Sequence, residues 1–304
     1  MQIVESARWW HTQRILFLND PDHICARTNP EWARSLLSLV SLSGQPLMLS
    51  DPHESYDAQR VEMIRKALPP VTTYAGETGP LDVSYAAFAW CKEHGAAFKD
   101  GVRMDWDQVS DEESYVVAGE HETSRDDHPL GCLWAFHIST GAGTWCVAYR
   151  FAGTPLRASR VPLERLQLDP RTEYLAFDFW AQEYVGEVAD ELDVPALPLG
   201  HCQVIGLREK LARPQFLASS RHVSMDAVSV KSQQFDGREL ILEIEGIPST
   251  QEEYFFHCPE GWRLHLAQVK GAEGRIISAG GACVSLALNF TARLAEVHLC
   301  CTRA

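Results

Sequence analysis

The stretch that most constrains this chain is Ile15 to Arg27, ILFLNDPDHICAR. Four apolar residues, Ile15 to Leu18, run directly into Asn19-Asp20-Pro21-Asp22. A short apolar run closed by turn formers reads as a buried strand. Pro21 fixes its own φ and drives Asp20 towards an extended conformation, so the chain turns there. The expected result is two carboxylates and an amide at the C-terminal end of a buried strand. In a parallel α/β barrel, that end carries the active site.

The next forty or so residues have the rhythm of a parallel sheet. Glu31 to Ser43 carries Trp32, Leu36, Leu37, Leu39, Val40 and Leu42, which predicts a largely buried helix with Gly44 as its C-terminal cap. Pro46 to Leu49 reads as a second strand, closed by Ser50-Asp51-Pro52. A second helix is expected over Ala58 to Leu68, stopped by Pro69-Pro70. Strand, polar turn and helix, repeated twice, is the βαβα unit of α/β folds.

Three phrases in this order, LNDPDHICAR, SLSGQPLMLSD and QRVEMIRKALPP, resemble the end of the catalytic barrel in the melibiase-like α-galactosidases of glycoside hydrolase families 27 and 36. EYLAFDFWAQEYVG, Glu173 to Gly186, resembles the β-sandwich after the barrel in bacterial members. LASSRHV, Leu217 to Val223, resembles the opening of a further small β-domain there. The resemblance implies an α/β plus all-β chain. Residues 1–70 would form the last two βα units of an incomplete (β/α)8 barrel, and 71–129 a linker with an acidic insertion. An antiparallel β-sandwich would occupy 130–212 and a small β-domain 213–304.

The resemblance also assigns roles. The final Asp of NDPD, Asp22, would hydrogen-bond the bound sugar, and a carboxylate can accept both hydroxyls of a vicinal diol. Asn19 and Asp20 join it as candidate substrate-binding residues, although holding the turn through backbone N–H groups is the simpler account of both. Asp51, at the end of the second strand, has the same double reading. Arg27 is either a partner that keeps a nearby carboxylate ionised or a solvated charge. Trp10, from the Trp9-Trp10 pair, is the candidate aromatic surface for the apolar face of a sugar; packing on the barrel is the alternative. Adjacent residues cannot both point the same way.

A retaining glycosidase needs two carboxyl groups about 5 Å apart, one a nucleophile and one an acid/base. In the resembled families both precede NDPD, and the nucleophile is in a Lys-x-Asp pattern. No Lys-x-Asp occurs in this chain. Lys99-Asp100 and Arg103 to Trp106 do not match it and fall after the barrel. No catalytic residue is therefore assigned within the chain. Two strands of eight cannot close a barrel. The expectation is the C-terminal part of a glycoside hydrolase for terminal α-galactosides or related α-linked sugars, with little or no turnover from this chain alone. A non-catalytic carbohydrate-binding or structural β-module is the alternative. The missing barrel portion or a second copy of the chain is the expected macromolecular partner.

Composition narrows the partners. The 304 residues carry 27 basic and 41 acidic side chains, a net charge of −14. That balance disfavours nucleic acid and anionic membrane, which need clustered Lys and Arg, and suits a neutral sugar. No apolar run approaches the roughly 20 residues that span a bilayer. MQIVESARWW lacks the basic head and apolar core of a signal peptide. Nine irregularly spaced cysteines fit reduced thiols in the cytoplasm, and vicinal Cys300-Cys301 suits a disulfide poorly. Asp105 and Asp107 lie in an acidic run, 99–128, without the glycine and terminal Glu of a calcium loop. His298 with Cys300, and His257 with Cys258, lack the further ligands of a zinc site. No metal or cofactor is expected.

Beyond Leu130 the pattern turns to strands. GCLWAFHI, GTWCVAYRF, TEYLAFDFW and CQVIGLRE are aromatic and β-branched runs separated by Gly, Pro or Asp. Leu192 to Gly200 reads as an edge strand or connection. Asp236-Gly237 is expected to turn a hairpin within HVSMDAVSVKSQQFDGRELILEIEGI. Asp178 and Trp180 share a strand face and suit either a sugar site or packing against the barrel.

Overall fold

A computed structural model describes residues 3, 6, 9–71, 78–81, 133–153, 155–278 and 281–303. The acidic run 99–128, with Asp105 and Asp107, lies outside these residues, as does most of the expected linker.

The two expected helices are present: α1 spans Pro30–Ser43 and α2 spans Ala58–Lys66. Each begins on a side-chain cap. Asn29 accepts the Glu31 N–H and Asp57 accepts the Arg60 N–H, satisfying amides that have no partner inside the helix. Gly44 ends α1 with φ 65°, a left-handed conformation that costs glycine nothing. α1 is buried along most of its length, with Leu37, Leu39, Val40 and Leu42 fully enclosed.

The two strands expected beside these helices are not. Ile15, Leu16, Phe17 and Leu18 are 63%, 74%, 56% and 51% exposed rather than buried. The Ile15 and Leu16 amides turn back onto the Thr12 carbonyl, both at 3.1 Å. Gln13 and Phe17 form a single isolated bridge. Pro46 to Leu49 likewise reduces to one parallel bridge, Leu49 to Ile24. In it the Ile24 amide donates to the Met48 carbonyl at 2.8 Å. The parallel direction, with α1 as the crossover, agrees with the βαβ expectation; the extended ladder does not form. A two-stranded parallel pair has too few bonds to hold itself, and its strands stabilise only with neighbours on both sides. Within residues 9–71 the structure therefore shows two α-helices and two isolated parallel bridges, and does not confirm an incomplete barrel.

The remainder is β-structure. A six-stranded antiparallel sheet is built from Thr78–Pro80 (β1), Leu133–Thr140 (β2), Gly143–Phe151 (β3), Tyr174–Asp178 (β5), Glu183–Val188 (β6) and Cys202–Glu209 (β8). Their order across the sheet is β1-β2-β3-β8-β5-β6. The four aromatic runs read from the sequence are β2, β3, β5 and β8. A two-stranded ribbon of Ser159–Pro162 (β4) and Glu191–Val194 (β7) covers one face of it, with Val161, Leu163, Leu166, Leu192 and Val194 on Ala135, Ala148 and Ile205. The opposite face carries Trp134, Phe136, Trp145, Tyr149 and Phe177. Alternation along each strand explains why both faces are apolar and both are covered.

Two four-stranded antiparallel sheets complete the chain. One combines Val230–Phe235 (β10), Glu239–Glu245 (β11), Trp262–Lys270 (β13) and Leu294–Arg303 (β16), in the order β10-β11-β16-β13. The other combines Gln215–Ser219 (β9), Gln251–His257 (β12), Ala272–Ser278 (β14) and Cys283–Phe290 (β15), in the order β14-β15-β12-β9. Asp236-Gly237 does turn the β10–β11 hairpin, and the Asp236 carboxylate accepts the Arg238 and Glu239 amides. Their inner faces share one core with α1 and the six-stranded sheet, including Leu39, Leu42, Phe216, Phe256 and Leu286. Arg208 ties them: it lies on the Trp145 ring at 4.4 Å and donates to the Phe216 and Ala142 carbonyls. Burial pulls its pKa down to about 9. A side chain at Gly143 would strike this guanidinium.

Candidate functional site

The NDPD turn lies between the Thr12 turn and the Ile24–Leu49 bridge. Asn19 is buried, with a bond on each of its side-chain polar atoms. Its amide nitrogen donates to the Trp9 carbonyl at 2.7 Å, its side-chain oxygen accepts the Thr12 hydroxyl at 2.7 Å, and its backbone N–H donates to Gln13 Oε1 at 2.8 Å. Burial and these three bonds spend it on fixing the turn. Asp20 is exposed, and its Oδ1 accepts the Asp22 amide at 2.8 Å. That side-chain turn is what a short polar residue before a reversal offers the backbone.

Asp22 is the member that faces outward. Its φ is 66° and its side chain is 73% exposed. Oδ1 accepts the His23 amide at 2.8 Å and pairs with the His23 ring nitrogen at 2.9 Å. These two bonds favour the charged form and hold the carboxyl below the usual carboxylate range. No bond to Oδ2 occurs among the described residues. Asp22 is thus an ionised acceptor presented to solvent from a fixed backbone position.

Asp51 differs. Its side chain is fully buried, and it accepts the Arg27 amide at 2.9 Å and the Arg27 guanidinium at 2.8 Å. Of the two sequence readings for Arg27, the ion pair is the one found. The pair stitches the two segments just beyond the Ile24–Leu49 bridge. Burial and the Asp51 charge raise the Tyr56 hydroxyl above its ordinary value. Asp51 positions the turn and has no exposed acceptor for a ligand.

Trp10 takes the packing alternative. It is 5% exposed, edge-on to Trp134 at 5.3 Å and to Phe136 at 6.2 Å, and closes over Gly79, where an added Cβ would stand 2.6 Å from its ring nitrogen. Large rings are drawn inward because the apolar area they remove from water is large. Its neighbour Trp9 is the exposed ring, at 49%, stacked on His11 at 6.2 Å. The rule that adjacent side chains diverge was the available signal; which of the two turned inward depended on the six-stranded sheet.

Asp178 and Trp180 are packing residues. Asp178 accepts the Trp180 and Ala181 amides, and Trp180 donates to Ser38 of α1 at 3.0 Å beneath the Arg34 guanidinium. His298 lies between Glu239 at 3.2 Å and Glu296 at 2.9 Å. Among the described residues no group of three or more His, Cys, Asp or Glu gathers as metal ligands. All the described cysteines, Cys300 and Cys301 included, are free thiols. No helix among the described residues is long and apolar enough to cross a membrane.

No protein-family model and no curated protein matches the chain. Solved structures do. A GH27 β-L-arabinopyranosidase from Geobacillus stearothermophilus is 11% identical, with 70% of this chain and 42% of that one covered and a TM-score of 0.44. α-Galactosidase I from Mortierella vinacea is 10% identical, covering 64% and 40%, with a TM-score of 0.36. Isomalto-dextranase from Arthrobacter globiformis T6 is 11% identical, covering 92% and 47%, with a TM-score of 0.34. The chain spans less than half the length of each. Likenesses this shallow bear on neither substrate nor mechanism.

Proposed function

We propose that this chain is the C-terminal part of a glycoside hydrolase acting on terminal α-galactosides or related α-linked sugars. In this reading residues 1–70 contribute the last units of a barrel, while 130–212 and 213–304 are β-domains. Asp22 supplies a hydrogen-bond acceptor to a sugar pocket whose nucleophile and acid/base come from a separate stretch of polypeptide.

One observation carries the reading. The run Ile15–Leu18, which the sequence marks as a strand interior, is exposed along its whole length, and Met48 and Leu49 beside the parallel bridge are 43% and 38% exposed. Six apolar residues in water, flanking an ionised Asp at the end of a parallel pairing, form the surface that further parallel strands would cover. Burying four such side chains is worth roughly 1.5–3 kcal/mol each, enough to hold a docked segment. The sequence phrases around NDPD point the same way.

The test is to purify the native product from its source through an affinity tag at its C-terminus and to assay p-nitrophenyl α-galactoside hydrolysis, with Asp22→Asn beside the wild type. Hydrolysis by a species larger than 34.1 kDa, reduced about 100-fold or more by the substitution, supports the reading. A native species of 34.1 kDa that neither hydrolyses nor binds α-galactosides refutes it, as does an unchanged kcat/KM in Asp22→Asn.

A further inference from the structure

A second concave site lies at one end of the β10-β11-β16-β13 sheet, built from residues that the NDPD reading does not use. Its volume is about 680 Å³, and its lining includes Arg213, Phe235, Gly237, Trp262, Cys301 and Arg303. Phe235 ends β10 and Trp262 begins β13, the two edge strands of this sheet. In a flat sheet those edges would be about 14 Å apart, three strand spacings of about 4.8 Å. Their rings meet edge to face at 5.9 Å, so the two side chains lean together across this end of the sheet and floor a shallow, open cup. The Asp236-Gly237 turn forms one wall, and the connection at Leu211 to Arg213 forms another.

The charge inside the cup is unusual for a chain of net charge −14. Arg213 lies over the Phe235 ring at 5.0 Å, and Arg303 over the Trp262 ring at 4.8 Å. Neither guanidinium is within ion-pair distance of a carboxylate among the described residues. Elsewhere in the same half of the chain, Lys231 and Arg293 share Glu245, and Lys270 pairs with Glu296. Asp236, in the turn beside the cup, accepts the Arg238 and Glu239 amides, which lower its pKa and keep it ionised, so it is a negative charge that the two arginines outnumber. Cys301 is buried at the cup, and burial pushes its thiol up to about 12, so it brings no negative charge. Cation–π contact holds both guanidiniums over the rings; Arg213 Nη1 donates to the Pro214 carbonyl at 3.3 Å, and its other N–H groups and those of Arg303 make no hydrogen bond among the described residues.

We infer that this cup is a binding site for a small organic anion: a carboxylate on a compact ring, taken by the Arg303 guanidinium and the remaining Arg213 N–H groups, with the ligand's carbon against the parts of Phe235 and Trp262 that the two guanidiniums leave open. The pairing is of planar donor fork with planar acceptor, and the aromatic lining selects a ligand with carbon to bury. The site is independent of the proposal for Asp22, and either stands if the other falls.

Isothermal titration of the full chain tests it with four probes: galacturonate, benzoate, galactose and inorganic phosphate. Saturable binding of galacturonate or benzoate, weakened roughly 10- to 100-fold in Arg303→Gln, is the expected result, the loss corresponding to one charge-assisted hydrogen bond. Whichever carboxylate binds more tightly tells an acidic sugar from an aromatic acid. Arg303 is exposed near the chain end, so its substitution leaves the thermal midpoint in place. Arg213→Gln is the second variant, read only if its midpoint also holds. Galactose binding as well as galacturonate overturns the anion requirement, and phosphate binding as well as either carboxylate overturns the requirement for carbon to bury. Absence of saturable binding to both carboxylates at a concentration of about 10 mM, or full affinity in Arg303→Gln, overturns the site.

Discussion

His222 offers the sharpest test of how the helices are fastened to the β-structure. It is fully buried. Its Nδ1 accepts the Ser224 amide at 3.2 Å and lies 2.7 Å from the Ser224 hydroxyl, while Nε2 donates to the Pro69 carbonyl at 2.9 Å. Beside it the Val223 amide donates to the Lys66 carbonyl at 2.9 Å. The Ser224 N–H needs an acceptor, so Nδ1 carries no proton and the ring is neutral. Burial, reinforced by the Arg221 charge, lowers its pKa from 6.5 to about 3. The unfolded chain takes up this proton below about pH 6.5 and the fold resists it until about pH 3. Stability is therefore whole above pH 6.5 and falls as pH drops through that window, by about 1.4 kcal/mol per unit. At about pH 4.5 the loss through His222 alone is about 3 kcal/mol. Asp226 and Glu252, raised by burial, act with the opposite sign but do so in wild type and variant alike. His222→Gln should cost about 1–3 kcal/mol at about pH 7.5, from lost buried hydrogen bonds. At about pH 4.5 that deficit should vanish or reverse. Urea titrations at both pH values, fitted with a common m-value, measure it. An equal deficit at both refutes the assignment of a neutral, proton-resistant His222.

Further substitutions probe other contacts. Trp10→Ala should lower stability by about 3–5 kcal/mol by opening a cavity beneath Trp134, whereas Trp9→Ala should change it by less than about 0.5 kcal/mol; thermal denaturation separates them. Asp51→Ala should cost about 2–3 kcal/mol, since two bonds end on its buried carboxylate, discounted because Arg27 is half exposed; Asp51→Asn, which keeps one acceptor, should recover part of it in urea melts. Leu16→Ser should change stability by less than about 0.5 kcal/mol in thermal denaturation, because Leu16 is 74% exposed.

The sequence alone set the local structure wherever a short-range rule was sufficient. Pro30 to Ser43 is a helix because it is capped at Asn29, periodic in its apolar residues and stopped at Gly44. The aromatic runs from Leu133 onward are strands because each alternates and is bounded by turn formers, and Asp236-Gly237 turns because that pair tolerates the reversal. The NDPD turn was legible for the same reason. What could not be read was anything set by a distant partner. Whether Ile15 to Leu18 became a strand depended on a neighbouring strand to supply a ladder, and among the described residues it finds only the local Gln13–Phe17 bridge and turn bonds to Thr12 and Arg14. Which tryptophan turned inward depended on where Trp134 and Phe136 lay, far along the chain. Asp20, Asp22 and Asp51 are alike in composition and in neighbouring prolines, yet one holds a turn, one faces water and one is buried on Arg27. Burial, ion pairing and exposure are properties of the assembled surface, and only the tertiary structure assigns them.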